Sequence, residues 1–252
     1  MKFPKYTFQA RLCPVLILLA PIGLTIAAWF PEKFVGWGLL TGALSSSALT
    51  MLFSQVGRDA GKRREEWLFK EWGGAPTTRL LRYSTSTLNP VLLERYRKKL
   101  RVLIPDVPLP SMEDEERDRS SADHSYETCV SVLRELTRDE GKFPLVFSEN
   151  VSYGFRRNLY GLKGSGIVIC LIGAVACIVS AVGNWWFHEI MSPVAICAAL
   201  ATIALGVIWW LHITAPWVRI AADGYATQLF AACEHLDLAE DNQSKSESHS
   251  RA

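Results

Sequence analysis

Four long stretches of this 252-residue chain contain no aspartate, glutamate, lysine or arginine. Each is 19 to 24 residues long, and a helix needs about 20 apolar residues to cross a bilayer core of roughly 30 Å. A soluble core does not require four uninterrupted apolar segments of this length. The pattern predicts four transmembrane helices and excludes a soluble enzyme, a secreted disulfide scaffold and a basic chromatin-type protein. The predicted spans are residues 12–30, 34–56, 164–187 and 191–214.

The four spans are arranged as two helical hairpins with a long polar segment between them. Only residues 31–33 separate the first two spans, and only residues 188–190 separate the last two, so each pair must turn back tightly. The sequence therefore predicts an all-α integral membrane protein in which two transmembrane hairpins flank an inserted helical cytoplasmic domain. The predicted division is residues 1–56 for the N-terminal segment and first hairpin, 57–163 for the insert, 164–216 for the second hairpin, 217–239 for an amphipathic cytoplasmic helix and 240–252 for a disordered tail.

Basic residues lie on one side of the predicted hairpins. Basic clusters precede the first and third spans and follow the second, and Arg219 follows the fourth, whereas the two short turns contain only Lys33. Because cytoplasmic loops of membrane proteins carry an excess of lysine and arginine, both termini and the insert are predicted to be cytoplasmic. The expected location is the bacterial inner membrane, with a multi-pass topology. The basic residues concerned are Lys2, Lys5, Arg11, Arg58, Lys62, Arg63, Arg64, Arg156, Arg157, Lys163 and Arg219.

The first apolar stretch also has the features of a secretory signal peptide, because Lys2, Lys5 and Arg11 precede it. The nearest small-x-small cleavage pattern, Thr25 to Ala27, is poor. We therefore expect a retained transmembrane helix rather than a cleaved peptide.

The insert contains start and stop signals for several helices. A helix over residues 58–72 continues the second span and should end at Gly73 and Gly74. Asn89 can cap a second helix. Three prolines and an acidic run make residues 105–121 a loop or mobile linker. The remaining predicted elements are a helix over residues 124–138, a short extended piece at residues 143–147, and a helix from Val151 into the third span.

Residues 217–238 place apolar side chains at helical spacing after the fourth span. Two arrangements fit this pattern: an interfacial helix on the membrane surface, or a helix packed on the cytoplasmic domain. The sequence does not distinguish between them. The tail after this helix is polar and predicted to be disordered.

The sequence contains no recognisable catalytic or metal-binding motif. The six cysteines form no CxxC pair and have no histidine at zinc spacing, and their predicted positions in the membrane or on its reducing side disfavour disulfides. The GLKGSG stretch lacks the Lys-Ser/Thr pair of a phosphate-binding loop. His124, Glu127 and Cys129 are close in sequence, but a helix turns the cysteine away from the other two. We therefore expect no enzyme activity, no cofactor and no bound metal.

The most distinctive stretch of the insert, residues 58–82, combines basic residues with a sharp turn. Gly73 and Gly74 allow close backbone approach, and Thr77 and Thr78 offer hydroxyl and N–H groups beside a basic side chain. Such groups suit an anionic or nucleotide-like ligand. The alternative is a buried helix with one threonine as its N-cap and the arginines at lipid headgroups. The residues predicted to contact a ligand or transmit a signal are Arg58, Asp59, Lys62, Trp72, Gly73, Gly74, Thr77, Thr78, Arg82, Arg156 and Arg157.

Small residues form stripes on two of the predicted spans. Such stripes let helices approach closely, either within one four-helix unit or between subunits, where a serine face could line a pore. We expect a homo-oligomer, because four spans without internal charge leave little room for a pore within one subunit. The residues predicted for helix packing or a pore are Gly38, Gly42, Ser45, Ser46, Thr50, Gly173 and Cys177.

A resemblance to known proteins rests on two stretches, RDAGKRREEWLFKEWGGAPTTRLLR at residues 58–82 and ENVSYGFRRNLYGLK at residues 149–163. They resemble segments of uncharacterised bacterial inner-membrane proteins that place a helical insert between two transmembrane hairpins. In layout the chain is also similar to membrane effectors of bacterial anti-phage defence systems, which join a cytoplasmic sensor to a few membrane spans. The first resemblance implies the four-span architecture, and the second implies an action on the membrane.

The function expected from these features is that of a membrane effector. Its insert would sense a ligand or partner and alter the packing or oligomer of the spans, and so perturb the inner membrane. The absence of charge within the spans disfavours an ion-coupled transporter. The alternative is a passive membrane scaffold that recruits a cytosolic partner protein. Expected partners are the lipid bilayer, further copies of the chain, and a cytosolic protein or an anionic small molecule, whereas direct nucleic-acid binding is not expected.

Overall fold

The computed structural model describes residues 5–30, 47–188 and 192–236, and the regular elements in these ranges are helices. The all-α class predicted from the sequence is confirmed for this part of the chain. A π-helical stretch, Thr7–Leu12, leads into the first α-helix. The α-helices are α1 (Cys13–Trp29), α2 (Ser47–Glu71), α3 (Pro76–Leu81), α4 (Pro90–Leu103), α5 (Met112–Arg117), α6 (Arg119–Leu136), α7 (Pro144–Gly161), α8 (Lys163–His188), α9 (Pro193–Leu211) and α10 (Ala215–Ala231).

Three helices in the described ranges are long and apolar enough to cross a membrane: Thr7–Trp29, Lys163–Trp186 and Pro193–Leu211. They correspond to the first, third and fourth predicted spans, and α1, α8 and α9 pack on one another. By length and composition, the chain therefore has the helices of a membrane protein. Of the second predicted span, residues 34–46 lie outside the described ranges, and the rest belongs to α2.

The described residues form two compact units. The membrane unit contains those within Met1–Glu66 and Val151–Arg219, and the insert unit contains those within Trp67–Asn150 and Ile220–Ala252. The chain passes from one unit to the other within α2, α7 and α10, so each connection is part of a helix rather than a loop.

Small side chains fill the core where α1, α8 and α9 meet, which allows these helices to pack closely. On the side of the unit near α7, larger side chains surround Trp209, which is fully buried. A Cβ at Gly166 would lie 2.6 Å from its indole ring, so the glycine makes room for the tryptophan. The small-residue cluster consists of Ala28, Cys177, Ala181, Ala195, Ala198 and Ala199.

Two helix-end signals read from the sequence are present in the insert unit. Helix α2 ends before Gly73 and Gly74, whose φ angles of 76° and 130° favour glycine. The Asn89 side chain accepts a hydrogen bond from the N–H of Val91 at 2.9 Å and caps α4. Both features are local, and the sequence predicted both correctly.

Two predicted elements of the insert differ from the structure. The predicted loop over residues 105–121 contains α5, which begins with a capping box between Ser111 and Asp114. The acidic run that suggested a mobile linker supplies carboxylates to the first turn, where they suit the positive end of the helix. The predicted extended piece at residues 143–147 lies at the start of α7, and Pro144 is well suited to a first helical turn.

The chain after α9 returns to the insert unit. The ring of Phe230 stacks on that of Tyr96, with the ring centroids 6.2 Å apart. The Glu234 carboxylate accepts a hydrogen bond from Arg95 at 2.7 Å. Of the two arrangements that the sequence left open, the described residues after Ile220 therefore adopt the one in which they pack on the insert.

Candidate functional site

The predicted ligand turn, residues 72–82, is a packed corner of the insert unit. Arg82 is 3% exposed, and its guanidinium donates from Nε and Nη2 to both carboxylate oxygens of Asp123, at 2.7 and 2.6 Å. Its Nη1 donates to the carbonyl of Gly73 at 2.7 Å. A Cβ at Gly74 would lie 2.7 Å from Nη2 of Arg82, so the backbone approaches the arginine and not an external ligand. The arginine thus ties the turn to α6.

Thr77 and Thr78 lie in α3 beside this corner, and both are buried. The N-cap of α3 is Ala75, followed by Pro76, so neither threonine caps the helix. Trp72 is buried as well. The groups that the sequence suggested for ligand contact face the interior of the insert, and a ligand role for this turn stays a prediction.

A buried polar cluster, which the sequence analysis does not predict, lies beside this corner. Arg97 is fully buried in α4, and its Nη1 donates to the Leu81 carbonyl at 2.7 Å and to the Tyr126 hydroxyl at 3.1 Å. Its Nη2 donates to the Pro110 carbonyl. The guanidinium carbon lies 4.1 Å from the centroid of the Tyr83 ring, a cation–π distance. One arginine therefore joins four separate stretches of the insert.

Glu115 of α5 completes the cluster. Its carboxylate accepts hydrogen bonds from the N–H of Tyr83 at 2.9 Å, from the Ser84 hydroxyl at 2.7 Å and from the Tyr126 hydroxyl at 2.8 Å. Burial raises the pKa of Glu115, but the hydrogen bonds outweigh this effect and hold its pKa below the ordinary value. Burial raises the pKa of Tyr126 to about 12, although Arg97 opposes that change. A chain of hydrogen bonds thus connects α4, α6 and α5 through Arg97, Tyr126 and Glu115.

The depressed pKa of Glu115 predicts an acid-sensitive insert. Because the folded pKa lies below the unfolded value of about 4.3, the unfolded state binds the proton more tightly. The stabilisation is therefore fully present above that pH and is lost as pH falls through the folded pKa. Urea unfolding of the full-length protein, followed by circular dichroism, should show Glu115→Gln less stable than wild type at pH 7, with the difference narrowing below pH 4. A constant difference would contradict this assignment.

The membrane unit contains a second candidate site, where α2, α7 and the N-terminal helix, Thr7–Trp29 with Tyr6 before it, meet at glycines. A Cβ at Gly57 would lie 2.6 Å from the Arg11 carbonyl oxygen, and one at Gly154 would lie 2.9 Å from the Tyr6 hydroxyl. A Cβ at Gly61 would overlap the side chain of Asn158, and one at Gly161 would overlap the backbone of Ala60. We call this contact the glycine crossing, defined by Gly57, Gly61, Gly154 and Gly161.

A largely buried ion pair lies beside the glycine crossing. Nη1 of Arg157 donates to Oε1 of Glu65 at 2.9 Å, and the Tyr153 hydroxyl donates to the same oxygen at 2.7 Å. Burial and the Glu65 carboxylate together raise the pKa of Tyr153, so this phenol is a hydrogen-bond donor at neutral pH. Nδ2 of Asn158 donates to the Ala10 carbonyl at 2.7 Å. These bonds hold α7 to α2 on one side and to the N-terminal helix on the other.

The other basic residues of the predicted site are more exposed. Arg156 donates to the Trp217 carbonyl at 3.0 Å and lies over its ring. Arg58 pairs with Asp59 at 3.3 Å, with side chains 36% and 51% exposed, so this pair contributes at most about 1 kcal/mol. The predicted residues are divided between the two units. The membrane unit contains Arg58, Asp59, Lys62, Arg156 and Arg157, and the insert unit contains those from Trp72 to Arg82.

Two of the residues predicted for helix packing lie in contacts between helices of the same chain. A Cβ at Gly173 would lie 3.2 Å from Oγ1 of Thr25 and 3.3 Å from Cγ2 of Thr202. Cys177 is fully buried among the alanines where α1, α8 and α9 meet. These two residues therefore pack α8 within the membrane unit. Gly38, Gly42, Ser45 and Ser46 lie outside the described residues, as does the side chain of Thr50.

No protein-family model, curated protein or solved structure matches this chain. Among the described residues, no group of three or more histidine, cysteine, aspartate or glutamate side chains is arranged to hold a metal ion. In the two polar clusters, the side chains form hydrogen bonds with one another and with nearby carbonyls, and these bonds hold neighbouring helices together.

Proposed function

We propose that this protein is a bacterial inner-membrane effector whose insert unit receives a ligand or partner protein and alters the packing of the membrane helices. The observation that carries the proposal is that the described chain passes between the units only within α2, α7 and α10. A helix transmits a rotation or shift along its axis, whereas a loop would absorb it. The insert can therefore act on the spans without any additional element.

The glycine crossing is the point at which such a movement would reach the membrane unit. Gly161 of α7 contacts the backbone of α2 at Ala60, so a shift of one helix must displace the other. The Glu65–Arg157 pair holds the resting arrangement, because separating the two partners leaves a charge without its counterion in a largely buried position. The proposed active state is one in which this contact has changed.

We further propose that the protein assembles into a homo-oligomer and that infection triggers its action on the membrane. A homo-oligomer of this chain would provide more membrane helices than one subunit has, and stripes of small residues allow helices of different subunits to approach closely. The resemblance in layout to anti-phage membrane effectors supports infection as the trigger. The competing function is a passive scaffold that recruits a cytosolic partner protein and leaves the membrane intact.

A membrane-potential dye in cells that express the chain tests the effector role. Loss of the Arg157 charge should shift the equilibrium towards the active state; a pair worth about 3 kcal/mol corresponds to a shift of roughly 100-fold. Arg157→Gln should therefore depolarise cells more than wild type at equal membrane level. The matched control is Arg138→Gln, which removes an exposed pair with Glu135 and should behave as wild type. If no form changes potential or viability, even with the native neighbouring genes, the scaffold function is favoured instead.

Alkaline phosphatase fusions test the proposed topology. With four spans and a cytoplasmic N terminus, a fusion after Ser121 should be inactive, and one within residues 188–190 should be active. If residues 34–56 do not cross the membrane, the insert lies on the outer side and the Ser121 fusion becomes active. The two fusions thus distinguish four spans from three.

A further inference from the structure

A cavity of about 580 Å³ opens in the membrane unit beside the glycine crossing. One wall is a single face of α2, formed by Val56, Asp59, Ala60, Arg63 and Arg64 at helical spacing. The opposite wall is the junction between α7 and α8, where Ser165 lines the cavity. The volume lies within the range of about 300 to 1,000 Å³ that is usual for small-molecule sites.

The charge of this cavity is positive. Neither Arg63 nor Arg64 forms an ion pair or hydrogen bond with another residue in the described ranges, although both line the cavity. The single carboxylate there, Asp59, is paired with the neighbouring Arg58. Two guanidinium groups are therefore available to an occupant, and the opposing charge is already neutralised.

The position of the cavity favours a phosphate group as the bound anion. Ser165 lies at the start of the apolar span Lys163–Trp186. The ends of a helix that crosses a bilayer lie in the headgroup layer. Guanidinium groups match the oxygen geometry of phosphate, and a serine hydroxyl can donate a further hydrogen bond. Basic pockets between membrane helices bind the headgroups of anionic lipids by this chemistry.

We propose that this cavity binds a phosphate group, held by Arg63, Arg64 and Ser165. The ligand is an anionic phospholipid headgroup or a soluble phosphate compound, since both present the same group to the arginines. An occupant would contact α2 and the α7–α8 junction at once, and would therefore stabilise the glycine crossing. Binding at this cavity does not depend on the effector role of the protein.

Thermal unfolding of full-length protein, delipidated in a neutral detergent, tests this site. Short-chain phosphatidylglycerol should raise the melting temperature, whereas phosphatidylcholine with the same chains should have little effect. Inorganic phosphate and ATP form the soluble arm. In Arg63→Gln/Arg64→Gln, the apparent affinity for the stabilising ligand should fall by about 10- to 100-fold, as expected for lost charge-assisted hydrogen bonds. Both side chains are exposed, so the double variant should melt as wild type without ligand.

The matched control is Lys70→Gln/Lys98→Gln, which removes two exposed positive charges outside the cavity. It should retain the affinity of wild type. Stabilisation by phosphatidylglycerol that is lost only in the arginine variant identifies a lipid site, and the same pattern with phosphate or ATP identifies a soluble ligand. Stabilisation by none of these, or an equal loss in both double variants, overturns the proposal, because binding would then be absent or due to net charge alone.

Discussion

Replacing Arg97 by methionine is expected to lower the free energy of unfolding of the insert unit by about 3 to 5 kcal/mol. Methionine preserves the long unbranched chain but removes the donors to the carbonyls of Leu81 and Pro110. Leaving the buried Leu81 carbonyl without a donor costs about 1 to 3 kcal/mol, and the part-buried Pro110 carbonyl adds a smaller cost. Glu115 also loses the positive charge that is connected to it through Tyr126. Urea unfolding of the full-length protein by circular dichroism measures the change.

The control for this substitution is Lys98→Met, at the next position of α4. Lys98 is exposed, and substitutions at such positions change stability by about 0.5 kcal/mol or less. The structural role assigned to Arg97 requires a clear difference between the two variants. Equal stability would mean that water or a repacked chain satisfies the carbonyls, and the cluster would not be the centre that holds the insert together.

Gly61→Ala is expected to destabilise the membrane unit. An added Cβ would overlap the Asn158 side chain and lie 2.9 Å from the Asn158 Cα, so a rotamer change cannot relieve the contact. Overpacking of this kind costs about 2 kcal/mol, which for a chain of this size lowers the melting temperature by about 4 to 8 °C. The measurement is the temperature at which the detergent-solubilised protein loses its monodisperse peak in size-exclusion chromatography.

Gly183→Ala provides the matched control. Gly183 also lies within a helix, but an added Cβ there meets no atom within 4 Å. Alanine favours the helix over glycine by about 0.5 to 1 kcal/mol, so this variant should melt at or slightly above the wild-type temperature. If Gly61→Ala melts at the same temperature as Gly183→Ala, α2 and α7 are not in close contact in the folded protein, and the glycine crossing cannot transmit a movement.

The sequence contains a signal for the buried Arg97 cluster and another for the glycine crossing, but each signal is incomplete. Arg97 interrupts the face of α4 that Leu93, Tyr96 and Leu100 bury, and a charged residue in a core stripe indicates buried partners. Gly57 and Gly61 have the four-residue spacing of a close helix contact. Neither pattern names the residue on the other side. That information depends on how distant segments pack.

The sequence by itself determined the features that depend on residues close together in the chain. The lengths of α1, α8 and α9 follow from apolar runs, because an unbroken stretch of apolar residues needs only the bilayer to be stable. The end of α2 at Gly73 and the cap of α4 at Asn89 follow from backbone preferences within a few residues.

The tertiary structure alone decided which polar groups became partners. Arg82 binds Asp123 and Arg157 binds Glu65 across 41 and 92 residues of chain, and no local pattern specifies those pairs. It also placed Phe230 on Tyr96 and so assigned the part of α10 after Arg219 to the insert unit. The physical reason is that a buried charge is stable only when a partner group lies beside it. Which group lies there depends on how all the helices pack together.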